Sequence, residues 1–151
     1  MLRSRLSDAL KTALKAKDAR AVSTLRLILA ALKDRDIAAR GKGQAEGVGE
    51  AEILEMLQKM VRQNRDSIEH YERGNRPDLV QKETEEIAII ERFLPRQLSE
   101  DETAAAVEQV VSETGAGGIK DMGGVMSLLR ERYAGRMDFA QASALVRRHL
   151  A

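Results

Sequence analysis

Two adjacent glycines near the end of the chain are the residues whose type and spacing most need a chemical explanation. Gly123 and Gly124 follow Lys120 in the segment Lys120-Asp121-Met122-Gly123-Gly124-Val125-Met126. Each glycine costs a helix about 1 kcal/mol relative to alanine, so the pair needs a compensating role. A backbone without Cβ atoms allows close approach of another helix or of a ligand backbone. The sequence leaves both interpretations open.

A set of arginines surrounds this glycine pair and favours an anionic ligand. Guanidinium groups bind phosphate oxygens, in contacts that position a nucleic acid without reading its sequence. Only 3% of the residues are aromatic, so few side chains can stack on unpaired bases, and we expect a folded RNA rather than a single strand. The predicted RNA-binding residues are Lys120, Gly123, Gly124, Arg130, Arg132, Arg136, Arg147 and Arg148.

The chain contains few groups that could carry catalysis. It has no cysteine, which excludes thiolate nucleophiles and zinc-thiolate sites. It has only two histidines. His70 has no second histidine at the spacing of a zinc hydrolase helix, and its pairing with Asp66 is more typical of exposed polar residues. No serine-hydrolase motif or phosphate-binding loop occurs. We therefore predict no catalytic residue, no metal site and no cofactor.

The net charge of +1 is a sum of unequal segments. Residues 1–42 carry +7, residues 43–97 carry −4, residues 98–121 carry −5 and residues 122–151 carry +3. The basic end coincides with the glycine pair, whereas the acidic segment before it suits docking on a protein.

Two charged stripes lie on the predicted second and fourth helices. Arg26, Lys33 and Arg40 repeat every seven residues, so they share one side of a helix that either contacts phosphates or is simply solvated. A run of acids on the fourth helix is typical of a solvated face, and its members are Glu83, Glu85, Glu86 and Glu91.

The elements that position these residues are predicted to be helices. Ala, Leu, Glu, Lys and Arg make up about half of the chain, and proline occurs twice, a composition typical of long helices. Asp18 is the expected cap of the second helix, which runs to about Arg40, and a third helix spans 50–73 before a fourth begins at Pro77. The apolar stripe predicted for the first helix is Leu2, Leu6, Leu10 and Leu14.

A second group of helices follows Leu94-Pro95, where the proline restricts the residue before it. Ser99 and Glu102 form a capping-box pattern that starts a fifth helix, and a sixth is predicted from Ile119 to about Tyr133. Asp138 precedes the seventh. We predict an all-α chain with a four-helix bundle over 1–94 and a smaller three-helix domain over 95–151.

The chain shows no pattern of membrane insertion or export. No run approaches the ~20 apolar residues of a membrane span. The first residues begin an amphipathic helix rather than a signal peptide, so we expect a cytoplasmic protein without a membrane partner.

Four segments resemble the YqeY-like proteins: Ser23-Thr24-Leu25-Arg26-Leu27, Leu94-Pro95-Arg96-Gln97-Leu98-Ser99, the segment from Lys120 to Met126, and Gly135-Arg136. Length and helix order are similar along almost the whole chain. Residues 96–151 also resemble the helical tail domain of GatB, a component of the glutamine-dependent aspartyl/glutamyl-tRNA amidotransferase. The family commonly has lysine at position 124 and Ala-Asp-Gly after Arg136, whereas this chain has Gly124 and Met137-Asp138-Phe139.

The resemblance implies a four-helix and a three-helix subdomain, and a tail that holds tRNA while chemistry takes place in other domains. The family is often labelled as a carbon–nitrogen ligase with glutamine as amido-N-donor. That reaction needs a glutaminase nucleophile and a nucleotide site, and we find neither pattern. We expect an accessory module that binds tRNA or another structured RNA. The alternatives are a module that docks on an aminoacyl-tRNA synthetase or an amidotransferase without RNA contact, and a true amidotransferase component.

Overall fold

Seven α-helices and no β-strand make up the computed structural model, which describes residues 1–151. This confirms the all-α class, and no helix combines the length and the apolar character needed to cross a bilayer. A single 3₁₀ turn, Ile119–Asp121, precedes the sixth helix. The helices are α1 Leu2–Ala16, α2 Ala19–Gly41, α3 Glu50–Arg73, α4 Pro77–Glu91, α5 Glu100–Thr114, α6 Met122–Arg132 and α7 Phe139–Leu150.

The helices group into two compact units, Met1–Leu94 and Pro95–Ala151. In the first unit α4 packs on α2 and α3, and α1 packs on α2. In the second unit α5, α6 and α7 all contact one another. Fully buried side chains define a core in each unit: Leu6, Ile28, Ile53, Leu57 and Ile90 in the first, and Val107, Val110, Val125, Leu129, Met137 and Val146 in the second.

Side-chain caps begin three of the helices at the residues expected from sequence. The Asp18 carboxylate accepts a hydrogen bond of 3.1 Å from the Ala21 N–H at the start of α2. Ser99 and Glu102 form a complete capping box at α5, in which each side chain accepts from the backbone N–H of the other residue. Asp138 accepts from two backbone N–H groups at the start of α7. Each cap satisfies N–H groups that the helix itself leaves free.

The apolar stripe predicted for α1 is wrong at its last residue. Leu14 is 47% exposed, and Ala13 is buried instead. A spacing of four residues overshoots one helical turn by about 40°, so Leu14 lies about 120° around the axis from Leu2. Ala13, rather than Leu14, therefore packs against the core.

The acidic stripe of α4 is not a uniformly solvated face. Glu86 is only 7% exposed, and its carboxylate accepts a hydrogen bond of 3.0 Å from Asn64 Nδ2 of α3. Glu85 forms an ion pair of 2.9 Å with Arg20 of α2. Burial, followed by the nearby Glu86 charge, raises the pKa of Glu83 above its ordinary value. Helix α4 thus packs on α2 and α3 through acids as well as apolar side chains.

A buried carboxylate joins α1, α2 and the loop that leads to α3. Asp36 is 6% exposed and accepts two hydrogen bonds of 2.6 Å from the Arg3 guanidinium. It also accepts one of 3.0 Å from the Val48 N–H, and Arg3 donates to the Val48 carbonyl at 2.8 Å. The Arg3 hydrogen bonds, helped by the Val48 N–H, hold the pKa of the Asp36 carboxyl well below its usual range.

The lowered pKa of Asp36 makes its contribution to stability dependent on pH. A carboxyl whose folded-state pKa is depressed stabilises the fold above its unfolded pKa of about 4 and loses this contribution as the pH falls further. We expect Asp36→Asn to lower the free energy of unfolding by about 2 kcal/mol at neutral pH. Urea denaturation at several pH values should show the difference from the native protein shrinking below about pH 4. Asp34→Asn, at an exposed acid of α2, is the control, and a pH-independent difference for Asp36→Asn would contradict the account.

Gly47 is needed because the same network leaves no room for a side chain. Its φ is +83°, and a Cβ at this position would collide with the Asp36 carboxylate. Gly43 has a similar φ of +93° but open space around it. Both alanine substitutions incur the left-handed backbone cost of about 1 kcal/mol. Thermal or urea unfolding should show a clearly larger loss for Gly47→Ala than for Gly43→Ala, and equal losses would mean that the contact with Asp36 is unimportant.

Candidate nucleic-acid interface

Gly123 and Gly124 lie in the first turn of α6, not in the middle of a helix that begins at Ile119. Residues 119–121 form the 3₁₀ turn, which shifts the start of α6 to Met122. Both glycines are exposed, and a Cβ built at either would meet no neighbouring atom within 4 Å. Close packing of another helix therefore does not explain the pair. The remaining interpretation is access to the backbone of α6 from outside.

The 3₁₀ turn places Lys120 beside Gly124 at an open cavity. The cavity has a volume of about 290 Å³ and lies between the end of α5 and the beginning of α6. The Asp121 carboxylate accepts a hydrogen bond of 3.0 Å from the Gly117 N–H, which ties the α5–α6 loop to the turn. The lining residues are Thr114, Gly115, Ala116, Lys120, Asp121, Gly124 and Val125.

Arg147 and Arg148 lie exposed in the last turn of α7, where cations interact favourably with the helix dipole. Helix α6 follows the 3₁₀ turn directly, and Arg130 lies near its end. The Arg130 side chain contacts Phe139, which is the first residue of α7. The 3₁₀ turn itself also contacts α7. Helix α7 thus contacts both the 3₁₀ turn that carries Lys120 and, through Phe139, the end of α6.

The other three predicted arginines have partners within their own unit. The Arg130 guanidinium lies 4.9 Å from the centroid of the Phe139 ring, and Arg132 forms an ion pair of 2.7 Å with Glu113. Arg136 Nε donates to the Arg96 carbonyl at 3.2 Å. The eight predicted residues thus divide into five that are exposed and form no ion pair, which we group under the name α6-start surface, and three with intramolecular contacts. The α6-start surface comprises Lys120, Gly123, Gly124, Arg147 and Arg148.

The residues that hold the loops of this unit could not be predicted from the sequence. Gln97 Nε2 donates to the Gly135 carbonyl at 2.6 Å, and the Leu98 N–H donates to the Arg136 carbonyl at 2.8 Å. Arg96 pairs with Glu102 at 3.0 Å, and its hydrogen bonds, with that of the Ser99 N–H, lower the pKa of Glu102 to about 2. The contacts of Gln97 and Leu98 join residues about 40 positions apart, for which a single sequence contains no signal. They give the segments around Gln97 and Gly135 a structural role.

Comparison with known proteins identifies the family. The model of the "Yqey-like protein" family matches residues 3–150. The chain belongs to the YqeY-like family. Curated relatives of this YqeY-like protein include two proteins named "Altered inheritance of mitochondria protein 41, mitochondrial". The relative from Lachancea thermotolerans is 36% identical over 110 residues, which is 72% of this chain and 57% of the relative. The relative from Kluyveromyces lactis is 33% identical over 111 residues, with the same coverage.

A third relative with the same name comes from Saccharomyces cerevisiae strain S288c. It is 35% identical over 91 residues, which is 60% of this chain and 47% of the relative. The YqeY-like chain spans about half the length of the curated relatives it matches. Their names place those proteins in mitochondria, so the cytoplasmic location expected for this chain stays a prediction.

The open surroundings of the glycine pair predict an unusual effect on stability. Replacing Gly123 or Gly124 with alanine adds a better helix former without a clash, and each change should raise the free energy of unfolding by about 0.5 to 1 kcal/mol. Gly115→Ala is the contrast, because Gly115 ends α5 with a φ of +64° and should lose stability. Urea denaturation measures all three. A loss of stability in the α6 variants would restore the helix-packing explanation.

Proposed function

We propose that this YqeY-like protein is an accessory module that binds structured RNA, with tRNA as the foremost candidate, through the α6-start surface. The observation that carries the proposal is the open backbone of Gly123 and Gly124 beside Lys120, in a unit that also exposes Arg147 and Arg148. Lys120, Arg147 and Arg148 form no ion pair with another side chain, so their charges are available to phosphates.

The physics of phosphate binding suits the start of α6. The positive end of the helix dipole at the start of α6 favours an anion. The Met122 N–H is already donated to the Ile119 carbonyl of the 3₁₀ turn. Two glycines there allow a phosphate to come closer than any residue with a Cβ would. Most family members are expected to have a lysine at position 124. In this chain Lys120 lines the same cavity as Gly124 and supplies the cation instead.

The alternative is docking on an aminoacyl-tRNA synthetase or an amidotransferase without RNA contact. Exposed acids on α5 favour it, because Glu100, Asp101 and Glu108 form no ion pair within the chain. Docking of this kind would give no salt-dependent affinity for RNA. We assign no glutamine-dependent amidation to the chain itself, and we regard the carbon–nitrogen ligase label as belonging to larger assemblies that share the tail domain.

Titration with a folded tRNA transcript tests the RNA proposal. Fluorescence anisotropy from about 50 to about 300 mM KCl should show the logarithm of the affinity falling linearly with the logarithm of the salt concentration. Arg147→Glu/Arg148→Glu should weaken binding by about tenfold or more and reduce the magnitude of the salt slope by about two.

The matched control is Arg62→Glu/Arg65→Glu, which reverses two exposed cations of α3 in the first unit. This variant should bind within about twofold of the native protein, because no close phosphate contact is lost. An unchanged affinity in the Arg147→Glu/Arg148→Glu variant would remove RNA binding from the α6-start surface. Absence of salt-dependent binding by the native chain would favour docking on a protein.

A further inference from the structure

Helix α2 exposes one complete face along its 23 residues. Its buried residues, which include Leu25, Ile28, Leu32 and Asp36, all lie on one side of the axis. At about 1.5 Å per residue the helix is about 34 Å long. The opposite side is therefore a continuous exposed surface, which we call the α2 outer face.

The α2 outer face has apolar side chains at its centre. Leu27 is 54% exposed and Ile37 is 57% exposed, and both lie on this face with exposed Ala30 between them. Isolated exposed apolar residues are ordinary on protein surfaces. Here two of the few exposed large apolar side chains of the protein lie ten residues apart on one helix face.

Three cations border this apolar strip on one side. Arg26, Lys33 and Arg40 are exposed and recur at intervals of seven. In a heptad that places Leu27 and Asp34 at a and Ala30 and Ile37 at d, all three cations occupy g. Residues at g form ion pairs with a partner helix and select it by charge. Arg26 and Lys33 have no ion pair within the chain. Arg40 donates a hydrogen bond of 3.3 Å to the Ala45 carbonyl, and its charge helps to lower the pKa of Asp36.

We propose that the α2 outer face binds an acidic amphipathic helix of another protein. Carboxylates at heptad spacing on the partner would pair with the three cations, and its apolar residues would cover Leu27, Ala30 and Ile37. Asp34 lies within the strip and selects a partner with a cation opposite it, which sets the register of the two helices. This surface belongs to the first unit and does not depend on the RNA proposal.

Two other occupants fit the α2 outer face less well. An RNA would contact the cations but would leave Leu27 and Ile37 without apolar contacts. A second copy of α2 packed in the antiparallel direction would bring the cations of the two copies together. In the parallel direction it would place Arg26 and Lys33 opposite the uncharged Ala31 and Ala38. An acidic helix satisfies both the charges and the apolar strip.

A synthetic helical peptide tests this proposal on the full-length chain. The labelled probe spans about three heptads, with leucine at a and d, glutamate at e and g, and one lysine at the a position opposite Asp34. Its control has lysine in place of every glutamate. Fluorescence anisotropy should show saturable binding of the acidic peptide only. Binding should weaken about tenfold in Arg26→Glu/Lys33→Glu and about fivefold in Leu27→Ser/Ile37→Ser.

Control variants separate this surface from general effects of charge and exposed apolar area. Arg62→Glu/Arg65→Glu and Ile119→Ser change similarly exposed residues elsewhere and should bind the acidic peptide within about twofold of the native chain. Circular dichroism verifies that every variant is folded.

Several results would overturn the proposal. One is failure of the acidic peptide to bind, and another is equal binding of the acidic and basic peptides. Retained peptide affinity in Leu27→Ser/Ile37→Ser would also overturn it. Loss of tRNA binding in Arg26→Glu/Lys33→Glu without loss of peptide binding would make this an RNA surface. A dimer in sedimentation that disappears in Leu27→Ser/Ile37→Ser would make it a self-association surface. The tRNA result for Arg147 and Arg148 is independent of all of these.

Discussion

The first unit depends on keeping one buried carboxylate ionised. Removing Asp36 from water would be costly without partners, and Arg3 of α1 and Val48 of the following loop together supply three hydrogen bonds to it. The start of α1, the last third of α2 and the approach to α3 are thereby joined at a single point. Because α2 is held through this side, its opposite face stays exposed, and we propose that the charges and apolar residues there bind a partner.

The second unit is held together differently. Its three short helices are joined by loops whose backbone N–H and C=O groups need hydrogen-bond partners. The Gln97 side chain and the Arg136 carbonyl form hydrogen bonds that join the segment before α5 to the loop between α6 and α7. The Asp121 carboxylate holds the loop between α5 and α6. The segments that resemble the YqeY-like family therefore serve two purposes. Those around Gln97 and Gly135 hold the unit together, whereas Gly123 and Gly124 have open space where a side chain would lie. This division is why we assign the candidate function to the start of α6.

Sequence alone predicted the features that depend on neighbouring residues. The caps at Asp18 and Ser99 involve partners three residues away, and both are confirmed. The burial of Glu86 depends on Asn64 in another helix, and the exposure of Leu14 depends on a small angular drift along α1. For the candidate site, eight residues were predicted from the sequence to bind RNA together. It could not tell that Glu113 pairs with Arg132, because that contact depends on how α5 and α6 pack.

The central claim is that the glycines at the start of α6 serve a ligand and not the fold. The most direct measurement is the tRNA affinity of the double variant Gly123→Ala/Gly124→Ala, made on the same preparations used for unfolding. We expect an affinity at least about fivefold weaker in a protein that is no less stable, because the two added methyl groups obstruct the approach of a phosphate to the backbone. Native affinity in that variant would contradict the claim.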